Sequence, residues 1–273
     1  MLTEKKGGRP HNAYPPHPEG LPTGLIQYGS YRVRFATTQD ELDTILRLRY
    51  RVFNLELGEG LEESDATGRD EDPFDRQCHH LLVEHEPTHT IIGTYRIQTA
   101  AMAESGDGFY SHGEFDLTAL PPAVMDRAIE IGRACISREH RNRQVLFLLW
   151  KGLARYLLTN DKRFLFGCCS LNSQDGAEGL RVLRYLEREG HMHPEIEIPP
   201  QAGLECDEGV VAPSAMEEAG PVDLPALFKT YLRYGSKVCG APAIDRAFRT
   251  IDFFVLFDVQ GMDPRTYRLF FEG

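Results

Sequence analysis

Ala128-Ile129-Glu130-Ile131-Gly132-Arg133-Ala134-Cys135-Ile136-Ser137 is an apolar run broken by one carboxylate, one glycine and one guanidinium. It reads as a central β-strand. The basic turn Arg138-Glu139-His140-Arg141-Asn142-Arg143 follows, and then a helix from about Gln144 to Leu158, whose run Val145-Leu146-Phe147-Leu148-Leu149-Trp150 needs burial on nearly all sides. Next, Phe164-Leu165-Phe166-Gly167-Cys168-Cys169-Ser170-Leu171 does not alternate, the pattern of a strand buried on both faces. Strand, cationic turn, buried helix and buried parallel strand make a βαβ unit. A helix N-terminus that opens among arginines is a place to hold phosphate.

With 273 residues, 41% of them hydrophobic, the chain can bury a full core, which excludes disorder of the whole. The net charge of −11 argues against nucleic acid as a partner. That charge is uneven: between Arg138 and Arg163 seven basic residues face two acidic ones, so the window is +5 and the remainder −16. A basic island on an acidic protein suits docking of a specific anion. Six cysteines, at 78, 135, 168, 169, 206 and 239, show no CxxC spacing, and no metal site is expected. The start lacks an apolar signal segment, and no run approaches the ~18 apolar residues of a membrane span. The expected location is the cytoplasm, with peripheral contact at the inner membrane left open.

Residues 1–29 carry five prolines and five glycines and read as a flexible N-terminal arm. Tyr31 to Ala36 alternates as a strand, and Thr38 with Glu41 three positions on fits a capping box that opens a helix. Leu42, Ile45, Leu46, Val52 and Phe53 form its apolar stripe, yet Arg49 falls inside the stripe and Glu56 extends it. A buried guanidinium needs carboxylates, and the stretch from Glu62 to Asp75 supplies them. His79 to Glu84 and Thr90 to Gln98 read as antiparallel strands, with one of His79 and His80 facing the core and the other not. A long connection reaches the central strand. Beyond the βαβ unit come a helix from Ala177 to Glu189, an irregular insertion at about 194–221, a helix from Leu224 to Tyr234, a turn-like block at 242–246, a buried strand from Ile251 to Asp258, and a tail at 261–273.

This order of elements resembles the GNAT acyltransferase fold: an α/β (α+β) architecture with a mixed, mostly antiparallel sheet, a splayed parallel pair at its centre and flanking helices. More closely, residues 30–260 resemble the bacterial ornithine-lipid-type, hemolysin-like N-acyltransferases, relatives of the acyl-homoserine-lactone synthases. The matching blocks are Arg49 to Phe53, Phe74-Asp75 with Cys78 to Val83, Gly93 to Arg96, Gly108 to Tyr110 with Glu114 to Leu117, Glu130 to Arg133, Leu149 to Gly152, and Lys237 to Cys239 with Pro242 to Arg246. Two departures stand out: His79-His80 replaces the family's Asp-His, and Asn142-Arg143-Gln144 replaces the small residues of the phosphate turn.

The resemblance implies transfer of a long-chain, 3-hydroxylated fatty acyl group from acyl carrier protein to the α-amine of an amino acid such as ornithine. No cofactor would be bound permanently, and an acyl thioester of carrier-protein phosphopantetheine or of coenzyme A would be co-substrate. An acyl-homoserine-lactone-type synthase using S-adenosylmethionine and a non-catalytic acyl-thioester-binding protein are the alternatives. The expected thioester site is Ala134, Cys135 and Ile136 with Arg141, Arg143 and Gln144. Glu130 is the expected base and Tyr185 the expected acid. Arg49, Phe53, Glu56, Asp72, Asp75, Arg96 and Arg133 are expected to line the acceptor side, joined there by Glu130. Glu130 and Arg133 have opposite parity in a regular strand, so only a bulge near Gly132 aims both into one cleft.

Overall fold

The computed structural model of the chain describes residues 14–207 and 222–272. The described strands are β1 (Ile26–Tyr28), β2 (Tyr31–Phe35), β3 (His79–His85), β4 (Thr90–Thr99), β5 (Ala128–Ile136), β6 (Phe164–Leu171), β7 (Lys237–Val238), β8 (Ala243–Asp245) and β9 (Thr250–Asp258). They form one sheet in the order β1-β2-β3-β4-β5-β6-β9-β7, with β8 also on β9. Only β5 and β6 run parallel; every other pair is antiparallel. Their pairing lasts from Ala128↔Phe164 to Glu130↔Phe166, although both strands continue, so the sheet splays open there. Gly167 sits at the parting point. A Cβ at this glycine would stand 2.2 Å from the Ile131 carbonyl oxygen, so only glycine lets the two backbones cross so closely.

The bulge lies in β5. Arg96 pairs with Gly132 and Thr94 with Cys135, so Arg133 and Ala134 together oppose the single residue Tyr95. Arg133 takes φ +48° there, a left-handed conformation that an arginine adopts only when its surroundings hold it.

Helices cover the sheet. In α1 (Gln39–Tyr50) the capping box forms: the Thr38 hydroxyl accepts from the Glu41 N–H, and the Glu41 carboxylate accepts from the Thr38 N–H. The helix α2 (Arg143–Thr159) lies across the opposite face, its Leu148, Trp150 and Leu153 packed with Ile97, Ile129, Leu165 and Phe253 in the main core. Each such side chain contributes roughly 1.5–3 kcal/mol by leaving water. Gly152 allows the close approach, since a Cβ there would meet the Leu81 side chain at 2.6 Å. Then come α3 (Gly176–Arg188), α4 (Ala226–Tyr234) and α5 (Pro264–Phe271). No described helix is long and apolar enough to cross a membrane.

Some segments differ from expectation. Residues 14–29 are not a loose arm in the described part: β1 pairs with β2, the Pro16 carbonyl lies 2.6 Å from His79 Nε2, and Tyr14 Oη lies 3.1 Å from His80 Nδ1. Together with Tyr156 on His79 and Asp75 on His80, that segment covers β3 from both faces, so His79 and His80 are both fully buried rather than alternating in exposure. The block at 242–246 contributes the strand β8 instead of a turn, and the tail contributes α5, whose Phe270 packs against Trp150. Of the expected insertion, residues 208–221 lie outside the described residues; residues 194–207 are irregular, tied down by the bridges Phe115↔Pro200 and Glu205↔Ala243.

Candidate active site

Pairing register puts Arg96, Gln98, Glu130, Cys168, Ser170 and Asp252 on one face of the sheet, because cross-strand partners and alternate residues share a face. The bulge adds Arg133. These side chains line a cavity of about 390 Å³ at the splay, closed on other sides by Glu59, Tyr110, Ser111, Tyr231 and Phe248. A second, mostly apolar cavity of about 560 Å³ adjoins it, lined by Val52, Tyr95, Ala134, Cys135, Ile136, Arg141, Arg143, Leu146 and Leu149. Phe53, Leu57, Ala134 and Leu227 line both, so the two cavities meet at the bulge.

Behind the polar cavity lies a six-charge cluster. Arg49, fully buried, donates to Asp70 at 2.7 Å and to Asp75 at 2.5 Å. Arg96 reaches both oxygens of Asp72 at 2.6 Å and Asp75 at 3.0 Å, and Arg133 reaches Asp72 at 2.9 Å. Three guanidinium groups and three carboxylates cancel, which is how so much charge tolerates burial. Burial alone would raise the Asp75 carboxyl, but Arg49 and Arg96 override it and hold it well below the usual carboxylate range. The Arg133 guanidinium also lies over the Tyr110 ring at 4.7 Å and the Phe248 ring at 4.1 Å.

Glu130 stands apart from this cluster. Its oxygens accept the backbone N–H groups of Tyr110 at 3.1 Å and Ser111 at 2.7 Å, both from the long connection before β5. Burial raises its pKa, while Ser111, Arg96 and Tyr110 pull the other way. Glu130 makes no ion pair with Arg49 or Arg96 among the described residues; the loop's backbone N–H groups meet its carboxylate instead.

Three expected site residues lie elsewhere. Glu56 pairs with Arg141, at 2.9 Å on one of two contacts, because residues Arg51–Leu57 form a π-helical segment that turns Glu56 off the α1 stripe. Tyr185 lines neither cavity; it packs on α3 under the Arg188 guanidinium. Gln144 lines neither cavity, with its side chain on the side of Gly29. At the basic turn, Asn142 Oδ1 accepts the N–H groups of Gln144 at 3.0 Å and Val145 at 3.1 Å, so the helix start is already capped. Arg143 has no ion pair among the described residues and borders the apolar cavity.

Sequence reasoning passed over several lining residues. Tyr231 Oη lies 2.6 Å from Tyr95 Oη, linking the walls of the two cavities, and burial first, then Tyr95, raise its pKa well above the usual phenol value. Asp252 is the one charge in the interior of β9, whose other charge, Asp258, ends the strand, and that is a signal available in the sequence. Its carboxylate, that of Glu114 and the Cys168 thiol lie within 4.8 Å of one another. Burial pushes Glu59 up to about 7, and Asp252 adds to it.

Residues 48–151 match the acetyltransferase (GNAT) domain family. Across the whole chain, similarity extends to the L-ornithine N(alpha)-acyltransferase of Rhodobacter capsulatus, 33% identical over 86% of this chain and 93% of that one, and to the enzyme of the same name from Brucella abortus, 30% identical over 88% and 89%. Among solved structures, FeeM, an N-acyl amino acid synthase from uncultured soil microbes, aligns with 88% of this chain and 94% of its own at 12% identity and a TM-score of 0.48. On the strength of the sequence relatives, the chain belongs to the L-ornithine N(alpha)-acyltransferase family and is a GNAT acyltransferase that performs N-acyl transfer.

Proposed function

We propose that the chain moves a long-chain, 3-hydroxylated fatty acyl group from acyl carrier protein to the α-amine of ornithine, giving a lyso-ornithine-lipid product. The observation that carries this reading is the meeting of a charged cavity and an apolar one at the β5 bulge, with Glu130 on the charged side. The named acceptor comes from the relatives. Carrier protein as donor is favoured by its acidity, which suits the basic turn around Arg143. A lipid product must leave at a membrane surface, so peripheral contact with the inner membrane belongs to this reading.

The acyl chain would lie in the apolar cavity with its thioester at Ala134. Beyond Glu130 the backbone of β5 has no partner on the β6 side, which leaves an N–H free to polarise the thioester carbonyl. The acceptor's carboxylate would meet Arg133, and its α-ammonium would give a proton to Glu130. The neutral amine then forms the C–N bond, its nitrogen gives up a second proton to solvent as the C–S bond breaks, and the leaving thiolate takes a proton from an acid that solvent recharges. Tyr231, which lines the polar cavity and is held protonated by burial, takes that role in place of Tyr185, which lines neither cavity.

The test is incubation of purified protein with 3-hydroxyacyl carrier protein or the matching coenzyme A thioester and a panel of amino acids, followed by mass spectrometry. An N-acyl ornithine formed faster from the carrier protein supports the reading. An acyl lactone formed from S-adenosylmethionine, or no product with any acceptor, refutes it.

A further inference from the structure

Most buried carboxylates of the site are saturated with donors. Asp245 accepts the Tyr110 hydroxyl at 2.8 Å and the N–H groups of Ala247 and Phe248, each at 2.8 Å; Glu130 has two backbone donors; Asp75 has Arg49, Arg96 and the Asp72 N–H. Asp252 and Glu114 differ. They are 3% and 5% exposed, their carboxylates lie within 4.8 Å of each other, and neither has an ion-pair partner among the described residues. Asp252 Oδ1 and Glu114 Oε2 are buried without any hydrogen-bond partner. The two carboxyl groups face each other as hydrogen-bond partners and burial raises both, Glu114 well above the usual carboxylate range, so a proton kept on Glu114 leaves Asp252, with its orphan Oδ1, as the carboxylate open to a cation from the cavity.

The cavity supplies the direction. Asp252 lines it, with Glu59 on the same wall, while the Arg96 and Arg133 charges are already cancelled by Asp70, Asp72 and Asp75. Glu59 and Asp252 are thus carboxyl groups of the cavity wall with no ion pair among the described residues. Glu130 connects to this end through Ser111, whose N–H it accepts and whose hydroxyl accepts from the Cys168 thiol at 3.6 Å. Cys168 in turn lies beside Asp252 and Glu114. Glu130 and Asp252 thus stand on one face of the sheet, linked through Ser111 and Cys168 rather than in direct contact.

We propose that Asp252, backed by Glu114, binds the second, side-chain ammonium of the acceptor, so that the site selects a diamino acid by its far end. This deepens the acyltransfer reading above and rests on it. A divalent metal is the rival occupant. Two hard oxygens with a thiol whose proton is held form a mixed donor set that suits no common divalent ion well, and an ammonium needs only acceptors.

The test compares kcat/KM for ornithine and for 2-aminopentanoate, the same carbon skeleton without the terminal amine, with 3-hydroxyacyl carrier protein as donor. Wild type should favour ornithine by roughly 10² or more, because a site built around a polar group rejects the analogue lacking it. Asp252→Asn should cut the ornithine value roughly 10²-fold, mainly through KM, and that of 2-aminopentanoate no more than a few fold. Glu114→Gln should shift the ratio the same way by less. A fold defect lowers both substrates in proportion and leaves the ratio unchanged, which overturns the proposal. So does equal use of the two substrates by wild type, or activity abolished by EDTA and restored by zinc or magnesium. Should wild type turn over no amino acid, the acyltransfer reading fails by itself. Calorimetry of ornithine against 2-aminopentanoate on the full chain then decides the ammonium site alone, tighter ornithine binding that Asp252→Asn removes supporting it and equal binding overturning it.

Discussion

Arg49→Met removes one cation from a cluster whose charges otherwise cancel, and the cost follows from what its partners keep. Asp75 retains Arg96 at 3.0 Å and the Asp72 N–H at 2.9 Å. Asp70 retains only the Arg133 Nε at 3.8 Å, too long for a hydrogen bond, and its Oδ1 has no partner already. Breaking a buried pair from one side costs about 3–5 kcal/mol. For a chain of this size that lowers Tm by roughly 6–20 °C. The loss also has a pH signature. In the wild type the depressed Asp75 contributes stability that is present above its unfolded pKa and lost as pH falls through its lower folded value. Without Arg49 the burial penalty is opposed only by Arg96 and the His80 contact among the described residues, Asp75 rises, and the deficit of the variant grows from below about pH 4 toward its full size near neutrality. Urea unfolding of Arg49→Met and of Arg49→Met/Asp70→Asn at pH 4 and pH 7 measures this. The double variant should regain a substantial part of the loss by removing the orphaned charge. A single variant within about 1 kcal/mol of wild type, or a double variant less stable than the single, refutes the account of the cluster.

Glu130→Gln should keep the fold and the binding of thioester but lower turnover by roughly 10² or more, since an amide still contacts the loop and cannot take a proton; near-wild-type turnover across the pH range would place the base elsewhere. Gly167→Ala puts a methyl 2.2 Å from the Ile131 carbonyl oxygen, so it should close or distort the splay, with both stability in urea and turnover falling; a variant with wild-type values for each would show that the parting of β5 and β6 does not depend on this contact. Arg143→Ala should raise the KM for the acyl carrier protein thioester more at low than at high salt, with turnover little changed, whereas a loss in turnover indifferent to salt would remove Arg143 from the donor surface.

Local periodicity made much of this legible before any coordinates. Arg49 falls inside an apolar stripe at helical spacing, and that alone turns it inward toward carboxylates. The opposite parity of Glu130 and Arg133 demands a bulge, and the bulge is there, two residues opposite Tyr95 with Arg133 at φ +48°. Features set by distant segments were not legible. Both histidines of β3 are buried because residues 14–20 return across the sheet, a contact that strand alternation cannot register. Glu56 leaves its expected face because a π-helical turn breaks the 3.6-residue count. Glu114 and Asp252 meet from 138 positions apart, and nothing near either residue forecasts the other. Asp252 did carry a local signal, as a charge interrupting the apolar interior of a strand.

Paired and unpaired charges divide the labour of the site. Arg49, Arg96 and Arg133 with Asp70, Asp72 and Asp75 compensate one another, so they offer a ligand little net charge; what they supply is rigidity, holding the strained β5 bulge that aims Arg133 and exposes the Ala134 backbone. Glu130, Glu59 and Asp252, which line the cavity, and Glu114 beside Asp252 have no ion pair among the described residues, and the proposed reading sets the acceptor against them. On the donor side the same logic runs through Asn142: by capping the Gln144 and Val145 N–H groups it occupies donors that a glycine turn would offer to phosphate. Affinity for the donor must then come from side-chain charge and from the apolar wall of the second cavity. Arg141 is tied to Glu56 and to the Ile136 carbonyl, so Arg138 and Arg143, with no ion pair among the described residues, are the guanidinium groups of that turn left to meet an acidic donor.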